Sequence, residues 1–214
     1  MLKWVFQGIS LLIFLLIILI VIVLFRTFSF GGSNNTDPVA LPAVPAFSSV
    51  SISENVSAAI QIPTITLTAG DPRPGREGPW LELEDLLERT YPDFHAAATK
   101  MKVADYTLLY HWEGSDPSLD PILLMAHQDV VPVNIGTEGD WDAPPFSGDI
   151  VGDYLYGRGT IDDKTSLITI MEAAEALVDS GFQPTRSIWI MFGHDEEVSG
   201  SGARAGVEYF ESQG

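Results

Sequence analysis

Polarity along the chain separates an apolar head, a polar joint and a patterned remainder. From Trp4 to Phe25 the only interruptions are Gln7, Gly8 and Ser10, and the run from Leu11 to Phe25 is wholly apolar. About 20 such residues cross the hydrocarbon core of a bilayer, so this stretch predicts a transmembrane helix. The alternative is a cleaved secretory signal, whose apolar run is usually shorter and ends in small residues. Here the exit reads Arg26-Thr27-Phe28-Ser29-Phe30. A buried helix of a soluble domain fits less well, because it is rarely apolar on every side. From Gly31 to about Ser49 the chain turns to Gly, Ser, Asn and Pro, with Pro38, Pro42 and Pro45 spaced along it, the composition of a tether. The expected organisation is an anchor over 1–26, a flexible linker over 27–50 and a folded domain over 51–214.

Periodicity within that domain alternates between strand and helix. Ser53 is placed to cap a short helix through Ile60, stopped by Pro63. Trp80 to Tyr91 sets Leu83, Leu86 and Leu87 on one face and acids on the other, a surface helix ending before Pro92. Tyr106 to Trp112, Ile122 to Ala126 and Ser187 to Phe192 are short apolar or aromatic runs that read as strands. Asp149 to Tyr156 turns on Gly152-Asp153 as a hairpin. Lys164 to Ser180 carries Leu167, Ile170, Met171, Ala174, Leu177 and Val178 along one side, with Gly181 as its stop. Another helix starts at Ala203. The alternation predicts an α/β domain, a mixed sheet flanked by helices.

Charge narrows the range of partners. All 29 Asp and Glu lie beyond Arg26, against 11 Lys and Arg in the whole chain and a net charge of −18. So acidic a domain is a poor partner for nucleic acid or anionic lipid. The acids are dispersed, so solubility accounts for them. Lys3 and Arg26 balance across the apolar run, and the free amino terminus tips the expected topology toward a cytoplasmic start and an extracytoplasmic domain. With no cysteine in the chain, disulfides and thiolate metal sites are excluded, and any metal must be held by His and carboxylates.

Three acidic motifs follow apolar strands or strand-like runs, where α/β sheets place their crevices. Ile122–Ala126 runs into His127-Gln128-Asp129. An imidazole is a good zinc ligand, and a carboxylate two residues on shares its face in an extended segment and can fix its tautomer. Taken alone, a strand-end His beside an Asp is as well explained by an ordinary hydrogen-bonded pair. Gly157-Arg158-Gly159-Thr160-Ile161-Asp162-Asp163-Lys164 turns on two glycines into a helix. Its plain reading is a turn with an Asp cap, but two adjacent acids at a buried junction repel unless a cation or Lys164 relieves them. Gly193-His194-Asp195-Glu196-Glu197 reads as a solvated acidic loop. As an extended loop it also lets one Glu bind metal while its neighbour faces a reacting water. Gly200-Ser201-Gly202 is a weak phosphate-cradle signal beside its reading as a helix-start turn.

In this order and spacing the three motifs resemble the M20 metallopeptidase family. Within it they resemble the branch of vacuolar carboxypeptidase S and the N-fatty-acyl-amino acid synthase/hydrolases. Ala59-Ile60-Gln61-Ile62-Pro63-Thr64 and Tyr110-His111-Trp112-Glu113-Gly114-Ser115 share that likeness, as does the apolar head. The resemblance implies two zinc ions: His127 binding one, Asp162 bridging both, Glu197 binding the other. It implies that Asp129 orients His127 and that Glu196 is the general base. The implied reaction is hydrolysis of an amide whose leaving group is an amino acid, with a small peptide or an N-acetyl or N-fatty-acyl amino acid as substrate. His95, His111 and His194 stand at no family ligand position. The family pattern also implies two further ligands beyond Gly214, and an inserted lid that mediates dimerisation and grips the substrate carboxylate. The chain is therefore expected to be an N-terminal part, with weak metal binding and negligible hydrolysis by itself.

Two other functions compete. A membrane-tethered binding protein keeping the fold without catalysis has no need of both Asp129 and Glu196. A magnesium-dependent phosphohydrolase built on clustered carboxylates is opposed by His127 and the lack of a convincing phosphate loop.

Overall fold

A computed structural model describes residues 2–30 and 46–213. It divides into two units, residues 1–44 and 45–214. The expected tether falls largely at 31–45, outside the described residues.

The first unit is helix α1 (Leu2–Phe30), which continues past Arg26. It is the one helix among the described residues long and apolar enough to cross a membrane, a test that a signal sequence also passes.

The second unit opens with α2 (Ser49–Ile60), whose cap is Ser48 rather than Ser53: the Ser51 N–H donates to its hydroxyl. Ser53 lies within the helix and donates back to the Ser49 carbonyl. α3 (Gly78–Thr90) buries Leu83 and Leu87 of the expected face, with Leu86 half-buried, and buries Trp80 as well. Pro92 opens a further helix, α4 (Pro92–Ala97), which the sequence reading did not anticipate. Proline suits the first helical turn, where no intrahelical N–H bond is lost. Glu175 takes the free N–H groups of Asp93 and Phe94 at 3.1 and 2.6 Å.

The sheet contains β1 (Thr99–Val103), β2 (Thr107–Trp112), β3 (Ile122–His127) and β6 (Ile188–Gly193); the expected hairpin forms separately as β4 (Ile150–Val151) and β5 (Tyr154–Leu155). Strand order is β1-β2-β6-β3, antiparallel except that β3 runs parallel to β6. This is the mixed sheet that the alternation predicts. Period-two alternation sorts side chains between its faces. Leu108, Tyr110, Trp112, Ile190 and Phe192 enter the main core with Leu167, Ile168 and Met171 of α5 (Lys164–Asp179). On the opposite face Trp189 packs against Tyr209 and Phe210 of α6 (Ser201–Gln213) and stacks on His111, with ring centroids 4.2 Å apart. β3 lies at the sheet edge, and Ile122–Met125 are exposed.

β1 escaped the sequence reading because Lys100 and Lys102 break its apolar character. Both reach Glu84 of α3, at 2.6 and 2.5 Å, joining strand to helix. Burial raises the pKa of Glu84, but the two ammonium groups outweigh it and hold the carboxyl below its ordinary value. A depressed carboxyl stabilises the fold fully above its unfolded value, and that contribution disappears as pH falls through the folded value. Glu84→Gln is therefore expected to cost about 1 kcal/mol at pH 7 and to flatten the acid side of the stability curve below about pH 4.5. Urea unfolding from pH 7 down to 3 measures both effects.

Candidate metal centre

Strand pairing delivers the first candidate ligand. His127 ends β3 opposite Gly193 of β6, and the Gln128 N–H donates to the Gly193 carbonyl at 2.7 Å. This sets the residues after Gly193 beside His127. The middle motif arrives through Gly159, at φ +86°, where an added Cβ would lie 2.6 Å from Val130 Cγ1. A positive φ and so close an approach both require glycine.

These elements bring ligand atoms of His127, Asp162 and Glu197 within 4.8 Å of one another. His127 Nε2 lies 2.8 Å from Asp162 Oδ1 and 3.9 Å from Glu196 Oε2. His127 Nδ1 is held by the Asp129 backbone carbonyl at 3.1 Å, with Asp129 Oδ1 at 3.3 Å. The Asp129 residue thus fixes the ring, chiefly through its carbonyl, and leaves Nε2 facing the acids.

The Asp129 carboxylate is engaged elsewhere. Its Oδ1 accepts the Glu196 N–H at 2.9 Å, and its Oδ2 accepts the Glu197 N–H at 3.1 Å and the Thr66 hydroxyl at 2.8 Å. Glu196–Val198 forms a 3-10 turn rather than the expected extended loop. The turn aims two consecutive amides at one carboxylate, which strand geometry would point apart. All five residues singled out from the sequence meet here: His127, Asp129, Asp162, Glu196 and Glu197.

The junction carrying Asp162 is more open than expected. Its side chain is 70% exposed, so water relieves much of the repulsion anticipated there. Lys164 does not relieve it either. Its ammonium donates to the Ala59 carbonyl at 2.8 Å and to the Ile62 carbonyl. Burial lowers its pKa to about 7, against the opposing charges of Asp129 and Glu82.

Electrostatics favour a cation. Burial lowers the His127 pKa, but Asp129 and Asp162 outweigh it and raise the value to about 9. Burial, followed by Asp162, raises that of Glu197. Crowded carboxylates beside a ring nitrogen form a hard-oxygen and imidazole donor set that suits a divalent ion, which would replace the proton on His127. The set fits a metal.

Asp195 and His194 of the third motif have structural partners. Asp195 accepts the Ser201 and Gly202 N–H groups at 2.7 and 2.9 Å and the Gly70 N–H at 3.2 Å, so Gly200-Ser201-Gly202 starts α6 on a protein carboxylate. Buried His194 bonds Thr107 Oγ1 at 2.7 Å, and His95 bonds the Tyr91 carbonyl. Thr66 was missed as a site residue; no local signal marks it, because its partner is distant in sequence.

Comparison with known proteins shows what this fold and donor set resemble. Residues 123–214 match the model of peptidase family M20/M25/M40. Carboxypeptidase S of Saccharomyces cerevisiae is 45% identical over 172 residues, covering 78% of this chain and 30% of the relative. The N-fatty-acyl-amino acid synthase/hydrolase PM20D1.1 of Danio rerio is 37% identical over 220 residues, covering 98% and 42%. The chain spans about a third of the length of the curated relatives it matches. The fold is similar to part of human carnosine dipeptidase 1, with a TM-score of 0.57 at 21% identity over 76% of this chain and 35% of that one.

Lys164→Met retains a long stem but leaves the Ala59 and Ile62 carbonyls without their donor. It is expected to cost about 2–3 kcal/mol of stability, read as a lower urea midpoint.

Proposed function

We propose that this chain is the N-terminal part of a zinc-dependent amidohydrolase or carboxypeptidase. The convergence of His127, Asp162 and Glu197 with Glu196 alongside is the observation that carries the reading. His127 would hold one ion, Glu197 the other, and Asp162 would serve both; bound there, the metal pair would supply Lewis acidity and lower the pKa of water. Glu196, its backbone pinned and its side chain 60% exposed, takes a proton from the attacking water and returns it to the departing amine nitrogen. Asp129 keeps the His127 ring oriented and the Glu196 backbone in place throughout.

A groove of about 390 Å³ leads to Asp162 and Glu197 past Trp141, Tyr156 and Arg158, where the Arg158 guanidinium lies 5.1 Å from the Trp141 ring centroid. It gives substrate a route to the acids. A small peptide or an N-acyl amino acid is the proposed substrate, following the names of the relatives. α1 is proposed as an uncleaved anchor holding the domain outside the cytoplasm, and the complete protein is proposed to dimerise.

Two variants separate the assigned roles. In the protein that carries these residues, Glu196→Gln is expected to retain bound zinc and lower kcat for amide hydrolysis by about 10²–10⁴-fold. His127→Asn is expected to lose zinc, measured by elemental analysis after dialysis. A Glu196→Gln enzyme with undiminished kcat, or a His127→Asn protein with full zinc, would overturn the assignment.

A further inference from the structure

We infer that Thr66 is a positioning residue for the metal-binding Glu196–Glu197 turn, acting through the carboxylate of Asp129. The inference rests on the metal-centre reading above and assigns the turn a support that none of the three motifs contains.

Thr66 is 1% exposed and Asp129 is fully buried. A carboxylate has about four acceptor directions and one free torsion. The amides of Glu196 and Glu197 occupy one direction on each oxygen of Asp129, so the torsion decides whether both can be met at once. The Thr66 hydroxyl, donating to Oδ2 at 2.8 Å, approaches from a segment that belongs to neither motif and fixes that torsion.

Thr66 is itself rigidly placed. Its N–H donates to the Val130 carbonyl at 3.2 Å, and the Val130 N–H donates to the Thr64 carbonyl at 3.0 Å. The Thr64 hydroxyl donates to the Gln128 carbonyl at 2.5 Å. One step back, buried Lys164 holds the Ala59 and Ile62 carbonyls. The path from α5 through the 59–66 segment to Asp129 and the Glu-Glu turn is thus bonded throughout. Removing the hydroxyl frees the carboxylate to rotate, and the turn loses its simultaneous hold on both amides. The side chains of Glu196 and Glu197 then sample a wider arc about the cluster.

The test uses Thr66→Val and the conservative Thr66→Ser in the full chain in detergent. Hydrogen exchange is read at the Glu196 and Glu197 amides, with the Asp195-bound amides of Ser201 and Gly202 as internal controls. In Thr66→Val the two Glu amides are expected to exchange at least about fivefold faster while the controls hold, and Thr66→Ser is expected to restore the wild-type rates. Zinc affinity in Thr66→Val is expected to fall about tenfold, the usual scale for loss of an outer-shell partner. Unchanged Glu amides, or equal acceleration at all four positions, would overturn the inference. If Thr66→Val does not fold, Thr66→Cys, a weaker donor of similar size, is read at the same amides. A wild-type chain that binds no zinc but still shows the selective exchange effect would remove the metal reading and leave the positioning role standing.

Discussion

One buried carboxylate organises this domain. Asp129 receives two backbone N–H groups from the turn after β6 and a hydroxyl from the segment after α2, while its own carbonyl holds the imidazole at the end of β3. An ionised carboxylate is costly to bury without hydrogen-bond partners. Three hydrogen bonds from two chain segments meet that requirement and tie those segments to the end of β3. The candidate ligands of two motifs are thereby fixed relative to each other by a residue outside the candidate ligand group.

The sheet makes this meeting possible. Because β3 and β6 run parallel and in register, their ends place His127 and the Glu-Glu turn on the same rim, where the helix-start acid Asp162 also arrives. The rim then concentrates negative charge around a single imidazole. That crowding contributes to two upward shifts, a His127 proton held more tightly and, with burial as the larger cause, a Glu197 carboxyl that ionises less readily. A bound cation would relieve both.

Much of this was legible from the chain. The helix over Lys164–Asp179 and the strands β2, β3 and β6 follow directly from hydrophobic period, and the five acidic and histidine positions stand out only through the joint order and spacing of the three motifs. Contacts between segments distant in sequence were not legible. Nothing local to Lys100 and Lys102 announces a strand until Glu84 is seen to pair with them, and Pro92 reads as a stop until Glu175 is found accepting the amides behind it. The DEE run reads as an extended loop, but Asp129 bends it into a 3-10 turn by offering one acceptor to each amide. Lys164 reads as a partner for its neighbouring acids, yet the backbone carbonyls of the 59–62 turn claim it. Thr66 falls in the same class, a small polar residue whose role depends on a partner 63 positions away.

The claim that His127, Asp162 and Glu197 form a metal centre is tested most directly by side-chain nitrogen NMR of the four histidines during zinc titration. The account predicts that His127 alone responds, with Nε2 losing its proton and shifting to a metal-bound position while Nδ1 remains hydrogen-bonded. No response at His127, or an equal response at His95, His111 or His194, would contradict it.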